Sequence, residues 1–141
     1  MKIVKNLFLV SLLILFAMPL YGAKRLTYYC STDIPWCELM KNEFEKRTGI
    51  RVSMTRASSG ETLTKIRAEK SNPKGDVWWG GTGDPHLQAA EEGLSQAYNS
   101  PKLSELHDWA KAPHKATGGK TVGIYLGACL LYTSPSPRDV P

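Results

Sequence analysis

Histidine and cysteine are scarce in this sequence, no long run of one charge occurs, and each scarcity removes a class of function. Only three histidines are present, His86, His107 and His114, and no H-E-x-x-H pair or Cys/His cluster supplies a catalytic or structural metal set. No Gly-Lys-Ser/Thr phosphate loop occurs, and no serine sits in a nucleophile elbow, so the usual nucleotide and acyl-hydrolase signatures are missing. No basic run or aromatic-interleaved patch marks a nucleic-acid surface. No internal repeat or low-complexity tract points to a solenoid or a linker array.

The 141 residues hold one domain's worth of chain. The first 23 read as a secretory signal peptide. Lys2 and Lys5 form a positive start, Leu7 to Leu20 is apolar apart from Ser11 and Pro19, and Tyr21-Gly22-Ala23 offers small residues for cleavage. The run is shorter than the ~20 residues of a spanning helix, and no cysteine follows it to carry a lipid. At the other end, Cys129 to Asp139 matches, codon for codon, one reading frame of a transposon-type sequencing adaptor. The expected organisation is therefore a leader over 1–23, an α/β unit over 24–128 and a non-native tail over 129–141.

Within 24–128 there are 15 Lys and Arg against 12 Asp and Glu, a net charge of +3 spread along the chain, as a solvated surface requires. Two cysteines remain there, Cys30 and Cys37. In an exported protein an even pair is most simply a disulfide; the spacing fits neither a zinc pair nor a C-x-x-C redox motif, and a catalytic thiol is the alternative.

Strand and helix patterns alternate. Leu26 to Cys30 reads as a strand. From Pro35, Trp36, Leu39, Met40 and Phe44 fall on one face of a helix that Gly49 stops. Ile50, Val52 and Met54 alternate as a second strand. Ser58 and Glu61 fit a capping box opening a helix with Leu63 and Ile66 inward, and Asn72-Pro73-Lys74-Gly75 is a turn. Val77-Trp78-Trp79 is a third, buried strand, and Asp84-Pro85 reads as the cap and first residue of a helix carrying Leu87, Ala90 and Leu94. Beyond Tyr98, Pro101 and Pro113 break the pattern, Leu103, Leu106 and Trp109 mark one short helix, and Thr121 to Leu126 reads as another strand after Gly118-Gly119. Consecutive strands joined by helices imply right-handed crossovers and a parallel sheet.

In such a sheet every strand-to-helix turn leaves the same edge. These turns are Ser31-Thr32-Asp33, Ser58-Ser59-Gly60 and Gly80-Gly81-Thr82-Gly83. Each is small, hydroxylated or glycine-rich, and each leads into a helix whose first N–H groups lack internal partners. Together they form a donor-rich rim suited to an anionic or oxygen-rich ligand. Ser31, Thr32, Ser58, Ser59, Gly60, Gly81, Thr82, Gly83 and Asp84 are the candidate ligand-binding residues. For several a plain structural role competes: Ser58 and Glu61 as a cap alone, Asp84 as a cap whose carboxylate opposes an anion, Trp78 and Trp79 as core, His86 as a surface residue. Gly81-Thr82-Gly83 begins like a dinucleotide fingerprint, but His86 stands where the third glycine belongs.

With these segments in order, 24–128 resembles the extracellular solute-binding proteins of bacterial ABC importers, in the group whose relatives take ferric iron, sugar phosphates or phosphonates. The segments are Tyr28-Tyr29-Cys30-Ser31 with Trp36-Cys37; Phe44 to Ile50; Ser58-Ser59-Gly60-Glu61; Asn72 to His86; and, more weakly, Thr121 to Tyr125. The resemblance implies a parallel-sheet lobe of a type II periplasmic binding protein, about the first of two lobes that close on a ligand. It implies capture of ferric iron or a small anionic solute in the periplasm for an inner-membrane permease, by a monomer, with no cofactor and no covalent chemistry. A secreted hydrolase is the alternative from another class, and a periplasmic sensor receptor the alternative on the same fold. For the tail, the parent DNA read through Cys129 in an unfragmented clone is expected to carry different codons; the same codons there would make the tail native.

Overall fold

The computed structural model describes residues 25–127; the leader expected over 1–23 and the tail from Cys129 lie outside the described residues. Three strands form one parallel sheet in the order β2-β1-β3, with β1 at Arg25–Cys30, β2 at Arg51–Arg56 and β3 at Val77–Trp79. Helix α1 (Ile34–Thr48) joins β1 to β2, and α2 (Ser59–Ala68) joins β2 to β3. Helix α3 (Gly83–Glu91), a short 3-10 turn (Leu103–Glu105) and α4 (Asp108–Ala116) follow.

The chain steps from β1 outward to β2 and then back across to β3. Right-handed crossovers in opposite directions place their helices on opposite faces of the sheet. Side-chain partners agree. Tyr28, Cys30, Val52 and Trp79 share a core cluster with Cys37 of α1. On the other face, the Tyr29 hydroxyl donates to Glu69 just past α2 at 2.8 Å, and Trp78 stacks on His86 of α3. Arg67 of α2 donates from Nε to Glu92 at the end of α3 at 2.8 Å, tying those two helices together.

Helix boundaries follow local chemistry. Pro35 lies in the first turn of α1, where its missing N–H costs nothing, and Gly49 closes the helix at φ 69° with its N–H returning to the Glu45 carbonyl at 2.8 Å. The capping box of α2 is complete. Ser58 Oγ accepts the Glu61 N–H, and the Glu61 carboxylate accepts the Ser58 N–H at 2.9 Å. Cys30 and Cys37 form the expected disulfide, with Cα atoms 5.9 Å apart and both residues fully buried.

Five expectations need correction. The face of α1 bearing Trp36, Leu39, Met40 and Phe44 does not pack on the sheet; Trp36 and Leu39 are 50% and 59% exposed. The disulfide sets the rotation of α1, so Cys37, Lys41 and Glu45, four residues apart, turn toward the sheet, and Glu45 accepts the Val52 N–H at 2.7 Å. Strand β3 is not buried: Val77 is exposed and both tryptophans are half-buried, because β3 has no second neighbouring strand among the described residues. Helix α3 is capped by Thr82, not Asp84; Asp84 and Pro85 both sit inside its first turn. Pro113 lies within α4 rather than ending it. Residues 121–127 form no strand.

The disulfide closes a short loop, for which chain entropy gives about 2.5 kcal/mol of stabilisation. Urea unfolding of the oxidised protein against a Cys30→Ala, Cys37→Ala variant is expected to show a loss of that order. Equal midpoints would rule the tether out as a stabilising element.

Candidate functional site

The register places the candidate site. Cys30 pairs with Arg56 on one side and Trp79 on the other, so all three strands end in one row. Two main-chain hydrogen bonds continue the pairing into the turns, from Ser31 N–H to the Trp79 carbonyl at 3.0 Å and from Ala57 N–H to the Cys30 carbonyl at 3.1 Å. The three turns therefore leave the sheet at the same level. The chain reverses its direction of winding at β1, and open α/β sheets bind ligands at that place, beyond the strands' carboxyl ends.

Packing then draws the turns together. The Ser31 hydroxyl lies 3.0 Å from Thr62 Oγ1 and accepts the Trp78 indole N–H at 2.9 Å, so this 9%-exposed residue links the first turn to α2 and β3. Ser59 Oγ accepts the Thr82 N–H at 3.0 Å, holding Thr82 extended so that α3 begins at Gly83. A Cβ on Gly81, at φ 89°, would lie 2.8 Å from Ser31 Cβ, and one on Gly80 would lie 3.0 Å from Thr32 Cβ. Only glycine tolerates both that backbone and that approach.

The nine predicted residues divide in two. Ser31, Ser59, Gly81 and Thr82 meet at the centre, and Thr32 lies beside Gly80 next to them. Ser58 faces its own capping box, and its N–H and hydroxyl hold the Glu61 carboxyl below its usual range, helped by the Arg56 charge. Gly60 and Gly83 have open space where a Cβ would point, and Asp84 is exposed in the first turn of α3, where its charge complements the helix dipole.

Three further residues shape the rim and were not among the predicted set. Arg56, the last residue of β2, donates from Nε to the Thr32 carbonyl at 3.1 Å and brings a positive charge to the rim. Its position at a strand end beside a serine turn was a usable signal. The Tyr125 hydroxyl accepts the Gly81 N–H at 2.7 Å. No local pattern announces that contact, because it joins residues 44 apart. His86, expected at the surface, is half-buried: its ring stacks on Trp78 with centroids 3.8 Å apart, and Nε2 donates to the Gly80 carbonyl at 2.8 Å.

A groove of about 1080 Å³ runs along the outer side of β3, lined by Leu94, Lys120 and Val122 among others and meeting the rim at Trp78 and His86. Among the described residues no group of three or more His, Cys, Asp or Glu could hold a metal ion.

No protein-family model matches the chain. An uncharacterized protein of Haemophilus influenzae is 41% identical over 103 residues, which are 73% of this chain and 30% of that protein. Among solved structures, the periplasmic binding protein P5PA is 38% identical with a TM-score of 0.64, over 68% of this chain and 31% of that one. AfuA of Actinobacillus pleuropneumoniae, a periplasmic binding protein solved with exogenous fructose-6-phosphate, is 44% identical with a TM-score of 0.59, over 62% and 27%. Iron-bound HitA of Pseudomonas aeruginosa, 21% identical with a TM-score of 0.58 over 62% and 28%, shares the fold. The class these likenesses show is that of the periplasmic binding proteins, and the described residues form an α/β lobe of that fold. The solved neighbours are binding proteins rather than enzymes, and the chain spans under a third of the length of each.

Burial lowers the His86 pKa below the ordinary 6.5, against the Gly80 carbonyl, which favours the cation. A folded value below the unfolded one gives stability that is full above the ordinary imidazole value and is lost as pH falls through the folded value. The urea midpoint is expected to drop between about pH 7.5 and about pH 5, and to drop less in His86→Gln. An equal drop in both proteins would contradict this role for His86.

Proposed function

We propose that this chain carries one wall of the ligand cleft of a periplasmic solute-binding protein, which captures a small anionic solute and delivers it to the permease of an ABC importer. The observation that supports this most is the common row of strand ends, which sets three helix-leading turns side by side at the winding reversal. The first N–H groups of α2 and α3, around Ser59, Gly60 and Gly83, lack helical partners and carry the partial positive charge of the helix ends. The Thr32 and Thr82 hydroxyls and the Arg56 guanidinium add donors. Ser31 and Ser58 serve by holding their turns, and Gly81 by letting the backbone approach closely.

A phosphate or phosphonate group matches this donor-rich wall, and the likeness to AfuA, solved with fructose-6-phosphate, favours a sugar phosphate. Ferric iron is the second reading, raised by the likeness to iron-bound HitA. A bare ferric ion requires several anionic oxygen ligands; this wall offers the exposed carboxylates of Asp33 and Asp84, with Glu61 held in its capping box, and a facing lobe would have to provide the rest. Lobe closure on the ligand by a monomer, without covalent chemistry, is the proposed mechanism, and the leader expected over 1–23 supports a periplasmic location.

Calorimetry on the intact parent gene product, with hexose phosphates and ferric citrate titrated side by side, tests the reading. Saturable heat with a hexose phosphate is the expected result. Binding of iron alone would overturn the anion assignment and favour the second reading.

A further inference from the structure

Residues 121–127 have no regular secondary structure, yet they are held at three points: the Thr121 N–H on Thr117 Oγ1 at 3.3 Å, Gly123 on α4, and Tyr125 over the rim. Gly123 donates its N–H to the Ala110 carbonyl at 2.9 Å, and a Cβ there would lie 3.0 Å from the Trp109 ring, so the base of the segment is fastened to α4. Two residues on, the Tyr125 ring stands edge-on to Trp36 at 5.8 Å between centroids and is tilted against Trp79 at 6.5 Å. Its hydroxyl accepts the Gly81 N–H at 2.7 Å and donates to the Gly81 carbonyl at 3.2 Å. Both polar main-chain groups of the glycine at the centre of the rim are thus already engaged.

Little else fastens the strap. Ile124 is 43% exposed and Leu126 is 74% exposed. A segment with few buried apolar contacts opens at low free-energy cost. The Tyr125 hydroxyl also stands where a ligand oxygen would stand to use the Gly81 N–H.

Resting on the solute-binding reading above, we propose that Tyr125 is a gate of the candidate cleft: its hydroxyl occupies the Gly81 main chain in place of a ligand, and an anion that uses this N–H must displace it. The site then carries its own competitor. Apparent affinity is the intrinsic affinity reduced by the fraction of molecules in which the strap has lifted. A ligand that does not reach the Gly81 N–H leaves the strap in place and is unaffected by the hydroxyl, so the hydroxyl lowers affinity only for solutes that insert an oxygen at this point.

The test uses the 141-residue protein and its Tyr125→Phe variant, which keeps the ring against Trp36 and Trp79 and removes only the hydroxyl. Amide hydrogen exchange at Gly81 is measured by NMR without ligand. Inorganic phosphate and fructose-6-phosphate are then titrated and followed at the Gly81 and Gly60 amides. The gate predicts Gly81 exchange faster by at least about tenfold in the variant, and phosphate affinity tighter by about three- to tenfold, the size of one lost hydrogen bond. Unchanged Gly81 exchange would overturn the proposal. So would accelerated exchange with phosphate affinity unchanged or weakened, since a purely supporting tyrosine behaves that way. Accelerated exchange with no phosphate binding by either protein would overturn the anion reading while keeping the occupancy of Gly81 by Tyr125.

Discussion

The candidate site depends on one constraint: β1, β2 and β3 end in the same row. Cys30 is paired with Arg56 and with Trp79, and parallel strands emit their turns in one direction. A slip of one residue in either pairing would turn every side chain of that strand to the other face and move one turn about 3.3 Å out of line. Several interactions guard against such a slip. The Ser31 N–H continues the ladder to Trp79, and the Ala57 N–H continues it to Cys30. At the opposite end of the sheet, Asp76 accepts the Thr27 N–H at 2.7 Å and returns its own N–H to the Thr27 carbonyl at 2.9 Å. The disulfide then holds the first turn by joining the last residue of β1 to the first turn of α1.

This geometry accounts for the chemistry of the rim. Helix N-termini attract anions only over their first turn, so they act together only when they start close together. The Ser59 to Thr82 hydrogen bond and the close approach of Gly81 to Ser31 bring α2 and α3 to that distance. The hydroxyls of Ser31 and Ser58 are engaged in building the wall. The open glycines at 60 and 83 leave room above it. Asp84 is the one carboxylate in the first turn of α3, and Glu61, held by its capping box, is the one in the first turn of α2.

What the sequence made legible was the part governed by local rules, the short-span disulfide among them. The alternation of strand and helix, the capping box at Ser58 and Glu61, the Gly49 stop and the Cys30–Cys37 pair all follow from residue type and spacing. The missed features depend on distant partners. The Asp84-Pro85 pair looks like a cap, but the Ser59 hydroxyl fixes Thr82 and the helix starts earlier. Trp36, Leu39 and Met40 have helical spacing, but the disulfide decides which side of α1 faces inward. His86 is drawn under by a stack on Trp78 that nothing nearby in the sequence announces. Tyr125 was visible within a segment of the resemblance, yet its contact with Gly81 spans 44 residues and lies in a stretch that reads as a strand.

The central claim is that the three turns form one anion-recognising wall. A crystal structure of the intact parent protein grown with a hexose phosphate tests it most directly. The account predicts phosphate oxygens about 2.7–3.2 Å from main-chain N–H groups at the start of both α2 and α3, with Thr32 or Arg56 alongside. A ligand whose phosphate turns away from these turns, or that lies in the groove beside β3, would contradict it.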